Sequence, residues 1–264
     1  MKISGIDISH PDKIIFPGQN ITKADMIKYY DKIADRMLPH LKHRPLTLRR
    51  FPDGIVEDGF FQKHAQKYYP DFIERIMVET EKGKAEEIMC NNKKSLIYLA
   101  DQGAVGFHIW PARQNDLHRP DKVVFDLDPA GTAGFGKVKE AASAVVDMLE
   151  EEGIDARPMT TGKSGMHIFY KIRVSKGFDE IRSAARETAQ KLVEALPELF
   201  TLEMRINKRR DKIFLDCLRN AYGQTSICPF SLRPNEKRGS GHSDRMGRTR
   251  QARIGRPLQL RKYL

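Results

Sequence analysis

Hydrophobic positions along the chain switch repeatedly between two periods. In KADMIKYYDKIADRM, residues 23–37, Met26, Ile27, Tyr30, Ile33, Ala34 and Met37 recur at three- and four-residue spacing, which predicts a helix with one buried face. Thr22 ahead of it has N-cap chemistry, and Asp25 three residues later makes a near capping box. LTLRRFP (46–52) alternates and predicts a strand, LIYLADQ (96–102) has helical character, and AVGFHIW (104–110) reads as extended. KVVFDLDP (122–129) is a short β-rich run stopped by proline, the pattern of a buried strand. VKEAASAVVDMLEEEG (138–153), ended by Gly153, and FDEIRSAARETAQKLVEAL (178–196), ahead of Pro197, are strong amphipathic helices. MHIFYKI (166–172) and KIFLDCL (212–218) predict strands, and TSICPFSLR (225–233) a further one. Strands alternating with long helices, without an internal repeat, predict a mixed α/β or α+β domain.

That pattern stops near residue 234. Residues 235–264 are rich in Arg, Gly and Ser, lack a clear period, and read as a basic tail behind one compact unit over 1–234. The 264 residues, 40% of them apolar and 31% charged, suffice for a sizeable globular core. No apolar run approaches the roughly 18 residues of a membrane span, and MKISGIDISH has no apolar leader segment, so no membrane partner is expected. Cys90, Cys217 and Cys228 have neither zinc-site nor disulfide-framework spacing, which suits a reducing, intracellular setting. The net charge of +11 fits an anionic partner, of which nucleic acid is the usual one, although part of the excess lies in the tail.

Two carboxylates stand out in VVFDLDP. With a strand period of two, Asp126 and Asp128 project from one face while Leu127 points to the other. Such a pair either holds a hard cation, magnesium or manganese, or sits at a strand end open to solvent. Asp216 in KIFLDCL is a third acid, placed where a core residue is expected. It either completes a two-metal site for nucleotidyl transfer or faces water from an edge strand.

TTGKSGMHIFY, residues 160–170, packs hydroxyls, two glycines, Lys163 and His167 around one turn. Backbone N–H groups there can form an anion-binding nest, with Lys163 adding charge and His167 a donor. It is not a P-loop, since GxxxxGK[ST] is absent. Standing alone it reads first as a polar hairpin turn followed by a strand histidine.

A DxD pair, then a hydroxyl- and Gly-rich turn ending G-x-H, then a strand Asp, in that order, resemble the archaeo-eukaryotic primase superfamily. The similarity is greater to one branch: the polymerase domain of bacterial DNA ligase D and its stand-alone archaeal relatives in non-homologous end joining. HPDKIIFP, ITKADMIKYY, RPLTLRRFPDG, GFFQKH, VGFHIWP, VVFDLDP, TTGKSGMHIF, FLDCLRNAYGQT and ICPFSLRP all resemble that branch, over roughly residues 8–234. The resemblance implies a primase-polymerase core of two antiparallel sheets flanked by helices. It implies a template-dependent nucleotidyltransferase that extends or fills broken DNA ends, with a preference for ribonucleotides.

The resemblance also carries residue roles. It implies that Asp126, Asp128 and Asp216 hold two divalent cations, Mn²⁺ or Mg²⁺. His167, Lys163 or Ser164, and Thr161 would contact the triphosphate, with His108, Arg233 and Arg49 at further nucleotide-binding positions. Lys13 and Lys23 would hold the 5′-phosphate of a gap or end, and Phe60 and Phe61 would meet the template strand. Adjacent exposed aromatics can stack on bases, and ammonium groups suit a terminal phosphate. Implied partners are DNA with gaps or 3′ overhangs and a 5′-phosphate, nucleoside triphosphates, and Ku with a separate DNA ligase, in a prokaryotic, cytoplasmic, nucleoid-associated setting. A replicative primase catalytic subunit is disfavoured by the missing zinc motif and by PDK and TKAD. A non-catalytic end-binding scaffold is disfavoured by the presence of all three acids.

The chain departs from the family pattern at three places. T-S-G-S-K-G-x-H becomes T-T-G-K-S-G-M-H, exchanging Ser and Lys and placing Thr161 where a hydroxyl can meet a ribose 2′-OH. Arg219 stands where the family often has glutamine. The tail replaces a proline-rich run and a W-x-E-L element. A changed reading frame would account for it, since codons for Arg245 to Thr249 can encode Glu-Trp-Asp-Glu-Leu when read one base on.

Overall fold

A computed structural model of the protein describes residues 1–162 and 164–234; Lys163 and the expected tail lie outside the described residues. These residues gather into two compact units, one of 1–115 with 225–234 and the other of 116–224. The sequence pattern predicts one unit over 1–234. The physical reason for two is that the buried apolar residues form two separate clusters, one in each unit.

In the first unit, helix α1 (Lys23–Leu41) starts where predicted. The Thr22 hydroxyl accepts from the Asp25 N–H and the Asp25 carboxylate accepts from the Thr22 N–H, both at 3.1 Å, closing the capping box. The helix runs past the predicted end, through Pro39. The N–H that Pro39 lacks would have met the Asp35 carbonyl; both residues are exposed, so water can serve that carbonyl, while burial of Leu38 and Leu41 holds the last turn. Helix α2 (Lys93–Asp101) is capped by Asn92, whose side chain accepts from the Ser95 N–H.

Both helices share a core with an antiparallel sheet. Its order is Ser226–Ile227, Ala104–Ile109, Leu46–Arg50, Gly83–Ile88 and Arg75–Thr80, and Phe60–Gln62 also pairs with Leu46–Arg50. Leu46 and Leu48, with their cross-strand partners Ile109 and Phe107, join the core, so Thr47 and Arg49 occupy the opposite face. Fully buried Tyr30 ties the unit together: its hydroxyl donates to the Val105 carbonyl at 2.6 Å and accepts from the Leu232 N–H at 3.0 Å.

The second unit is a five-stranded sheet in the order Arg157–Thr160, Met166–Lys171, Lys122–Pro129, Ile213–Asp216, Phe200–Thr201. All pairs are antiparallel except the last. Helix α3 (Phe135–Glu151) begins three residues before the predicted start, and helix α4 (Phe178–Ala195) matches its prediction to within a residue. Val123, Phe125, Leu127, Ile213 and Leu215 pack with these helices in one core. One face of the sheet is thereby apolar and covered. The alternate positions of the same strands face the other way.

Candidate active site

That other face carries the acids. The register sets Asp126 directly opposite His167 on one side and opposite Asp216 on the other. Cross-strand partners share a face, so three chemistry-bearing residues line up across three adjacent strands. Asp128 follows two residues along the same face. The strand holding Asp216 is internal to the sheet at Ile213 and Phe214, where Phe200–Thr201 pairs with it, while Asp216 lies past that pairing and is partly exposed.

Asp126 is almost fully buried, 5% exposed. His167 Nε2 lies 3.3 Å from its Oδ1, and Arg219 Nε lies 3.4 Å from its Oδ2. Burial pushes this carboxyl upward, but the His167 hydrogen bond and the His167 and Arg219 charges outweigh it and hold Asp126 below the ordinary carboxylate range. Asp128 is raised, by burial first and then by the charges of Asp126 and Asp216. Asp216 is also raised by burial, although its Oδ1 accepts the Leu218 N–H at 2.7 Å. Arg209 and Arg219 temper both.

The acid strand is braced where its neighbour ends. Beyond Asp216 the chain turns into a short 3-10 helix, Leu218–Asn220. Buried Asn220 then takes over the ladder, accepting from the Val124 N–H and donating to the Val124 carbonyl, both at 2.8 Å. The Arg209 guanidinium lies 4.1 Å over the Phe214 ring, and Phe214 pairs with Asp128.

Three oxygen donors whose charges already oppose one another suit a hard divalent cation. Among the described residues, no three His, Cys, Asp or Glu side chains converge into a ready metal-holding group as they stand. Asp126 instead turns to His167 and Arg219, and Asp216 to the Leu218 backbone. The donor chemistry fits a metal; the side-chain arrangement is that of acids balanced by protein cations.

The turn before His167 packs onto the acid strand. A Cβ on Gly165 would lie 2.5 Å from the Leu127 carbonyl oxygen and 3.4 Å from Asp128 Oδ1, so only glycine lets the backbone pass. Gly162 has φ +78°, the left-handed region. The Thr161 hydroxyl donates to the Gly165 carbonyl at 2.9 Å and closes the turn. Ser164 is exposed, and Lys163 lies outside the described residues.

In the first unit, Arg49, His108 and Phe61 come together. Arg49 pairs with Phe61 and with Gly106, and its guanidinium sits 4.6 Å from the Phe61 ring centre. His108 meets Phe61 edge-on at 5.8 Å. Arg233 follows Leu232, whose carbonyl is 3.7 Å from where a Cβ on Gly106 would stand. Phe60 and Phe61 are 46% and 59% exposed, so neither is a core residue.

Lys13 and Lys23 line one pocket together with Ser9, His10, Arg50 and Asp101. Lys23 Nζ lies 2.8 Å from Asp101 Oδ1 and donates to Ser9 Oγ at 2.7 Å. Arg50 alternates with Arg49 along its strand, donates through Nε to the Gln102 carbonyl, and lies 5.3 Å from the Phe60 ring centre. No sequence motif marks Asp101, Arg50, Arg209 or Asn220. The one available signal was an acid inside the otherwise apolar LIYLADQ; the others depend on which strands become neighbours.

Residues 22–239 match the LigD primase-polymerase domain family, and the chain belongs to it. It is 36% identical over 226 residues to the bifunctional non-homologous end joining protein LigD of Bacillus subtilis, covering 85% of this chain and 36% of that protein. It is 32% identical over 233 residues to the multifunctional LigD of Pseudomonas aeruginosa, covering 88% of this chain and 28% of that one. The chain thus spans about a third of the length of these relatives. Its fold matches the polymerase domain of Mycobacterium tuberculosis ligase D, solved in complex with DNA, with a TM-score of 0.83 at 28% identity, covering 88% of this chain and 83% of that one. Two largely antiparallel sheets with flanking helices are therefore the family fold, as expected from the motifs.

Proposed function

We propose that the protein is a template-dependent nucleotidyltransferase that extends or fills DNA ends in non-homologous end joining, with a preference for ribonucleotides. The observation that carries this reading is the alignment of His167, Asp126 and Asp216 across three strands, with Asp128 beside them. Asp126, Asp128 and Asp216 would hold two divalent cations, Mn²⁺ or Mg²⁺. The chemistry such cations would supply when bound is activation of a primer 3′-hydroxyl and neutralisation of the leaving pyrophosphate.

The protein's own groups have separate tasks. His167 orients Asp126 through its Nε2 contact, and its imidazole is the group assigned to the triphosphate. In the turn before His167, Lys163, Ser164 and Gly165 supply backbone N–H groups, one hydroxyl and one ammonium to phosphate oxygens. Thr161 closes that turn, which makes it a positioning residue. Arg49, His108 and Arg233 belong to nucleotide recognition, and Phe60 and Phe61 offer exposed rings to template bases. Lys13 and Lys23 take the 5′-phosphate on the far side of a gap. Gapped or 3′-overhanging DNA, nucleoside triphosphates, Ku and a separate ligase are the proposed partners.

A gap-filling assay tests this reading. A short gapped duplex is supplied with and without its 5′-phosphate, in Mn²⁺, with ribo- and deoxyribonucleotides offered separately. Templated addition that rises with the phosphate and favours ribonucleotides is the expected result. DNA binding without any addition would overturn the enzymatic assignment.

A further inference from the structure

The two pocket lysines, alike in sequence, are held differently. Their backbones are joined, the Lys23 N–H donating to the Lys13 carbonyl at 2.7 Å, so both ammonium groups serve one pocket. The Lys23–Asp101 side chains are 8% and 6% exposed. Parting them would strand a buried charge, so this pair stays closed. Ser9 and Asp101 occupy two of its three N–H donors and leave the third for a ligand. Lys13 Nζ lies 2.6 Å from Asp53 Oδ1, and these side chains are 36% and 72% exposed. Water can replace either partner there at little cost.

Asp53 is set opposite Lys13 by its backbone. Gly54 has φ +99°, and a Cβ on it would lie 3.0 Å from the Ile14 carbonyl oxygen. The Ile55 N–H donates to the Ile15 carbonyl at 2.9 Å. The Asp53–Gly54 turn is therefore pressed against the two residues that follow Lys13.

We propose that Asp53 is a built-in competitor for Lys13, which lets the pocket take a terminal phosphate and pass over an internal phosphodiester. The inference rests on the 5′-phosphate reading of this pocket. A carboxylate carries one negative charge, as a phosphodiester does, so exchanging one for the other gains little. A terminal phosphate monoester carries about −1.5 to −2 at neutral pH and displaces the carboxylate. Lys13 is then the cation that moves and Lys23 the one that stays.

Fluorescence anisotropy with a 5′-phosphorylated gapped duplex, its 5′-hydroxyl counterpart and an unbroken duplex tests this, with circular dichroism confirming that each variant is folded. Wild-type protein is expected to prefer the phosphate. Asp53→Asn is expected to tighten binding to all three, hydroxyl and unbroken duplexes included, by about two- to fivefold. Lys13→Ala/Asp53→Asn is expected to bind as Lys13→Ala does. If wild type prefers the phosphate and Asp53→Asn leaves hydroxyl and unbroken duplexes unchanged, the competitor is refuted and the pocket stands. The same tightening in the Lys13→Ala background would mark a bulk charge effect and also refute it. No phosphate preference in wild type, with Lys13→Ala silent, would overturn both the competitor and the pocket.

Discussion

Asp126 and Asp216 are direct cross-strand partners, two carboxylates set opposite one another in an antiparallel ladder. Like charges in that relation destabilise a sheet. The arrangement persists because His167 and Arg219 hold Asp126, and because the apolar face of the same strands is packed on α3 and α4.

The acid face therefore opposes stability and function. Asp128→Asn is expected to abolish nucleotide addition while raising fold stability at neutral pH on the order of 0.5 kcal/mol, because it relieves burial and repulsion of a charged group. Thermal melting with and without Mn²⁺ checks this. Wild type should gain stability from the ion and Asp128→Asn should gain little.

Asp101 anchors Lys23. Asp101→Asn leaves a buried ammonium without its counter-charge and is expected to cost about 3–5 kcal/mol in urea unfolding. Lys23→Met/Asp101→Leu, which removes both charges, should recover most of that loss while losing the preference for a 5′-phosphate.

Gly165 tests the packing of the turn on the acid strand. Gly165→Ala forces the backbone off Leu127 and is expected to cost about 1–3 kcal/mol and most of the activity. Gly136→Ala, in the first turn of α3 with no atom within 4 Å of the new Cβ, is the control and should stabilise by about 0.5 kcal/mol. Unfolding curves for the two variants should move in opposite directions.

Glu87 gives the fold a pH dependence outside the acid face. It is 2% exposed, and burial pushes its carboxyl up to about 7, against the pull of Lys63 and the neighbouring Trp110. The folded state holds this proton more tightly than the unfolded state, so stability falls as pH rises from 4.5 through about 7. The loss above that window is about 3 kcal/mol. Glu87→Gln should remove this slope, gaining stability at pH 8 and little at pH 4.5. A melting series across that range reads it directly.

The elements that form the two cores were legible because each has a strong period. Helices α1, α3 and α4 and the strands around Arg49, His108, Asp126, His167 and Asp216 all stand where the hydrophobic pattern put them. The Arg75–Thr80/Gly83–Ile88 hairpin was not legible: within it only Val78, Glu87 and Ile88 are buried, and its charged alternation reads as solvated loop. Strand period placed Asp126 and Asp128 on one face, but it could not say that Asp216 and His167 flank them. That depends on strand order, which is set by long-range packing. Asp53 was hidden for a related reason: a carboxylate that serves a lysine 40 residues away leaves no local pattern, and Asp101, 78 residues from Lys23, shows in the sequence only as an acid in an apolar run, with its partner unmarked.

Six register pairs, from Lys122 with Lys171 to Leu127 with Met166, fix His167 against Asp126 without help from the turn that precedes it. The turn is held at its two ends, by Thr161 bonded to the Gly165 carbonyl and by the close passage of Gly165, with Gly162 in the left-handed region between them. Ser164, exposed among the described residues, can vary without displacing the histidine. Position 164 is one of those at which the turn departs from the family pattern. Inheritance can thus alter the surface that the turn offers at Ser164 while the strand ladder keeps His167 and Asp126 in place.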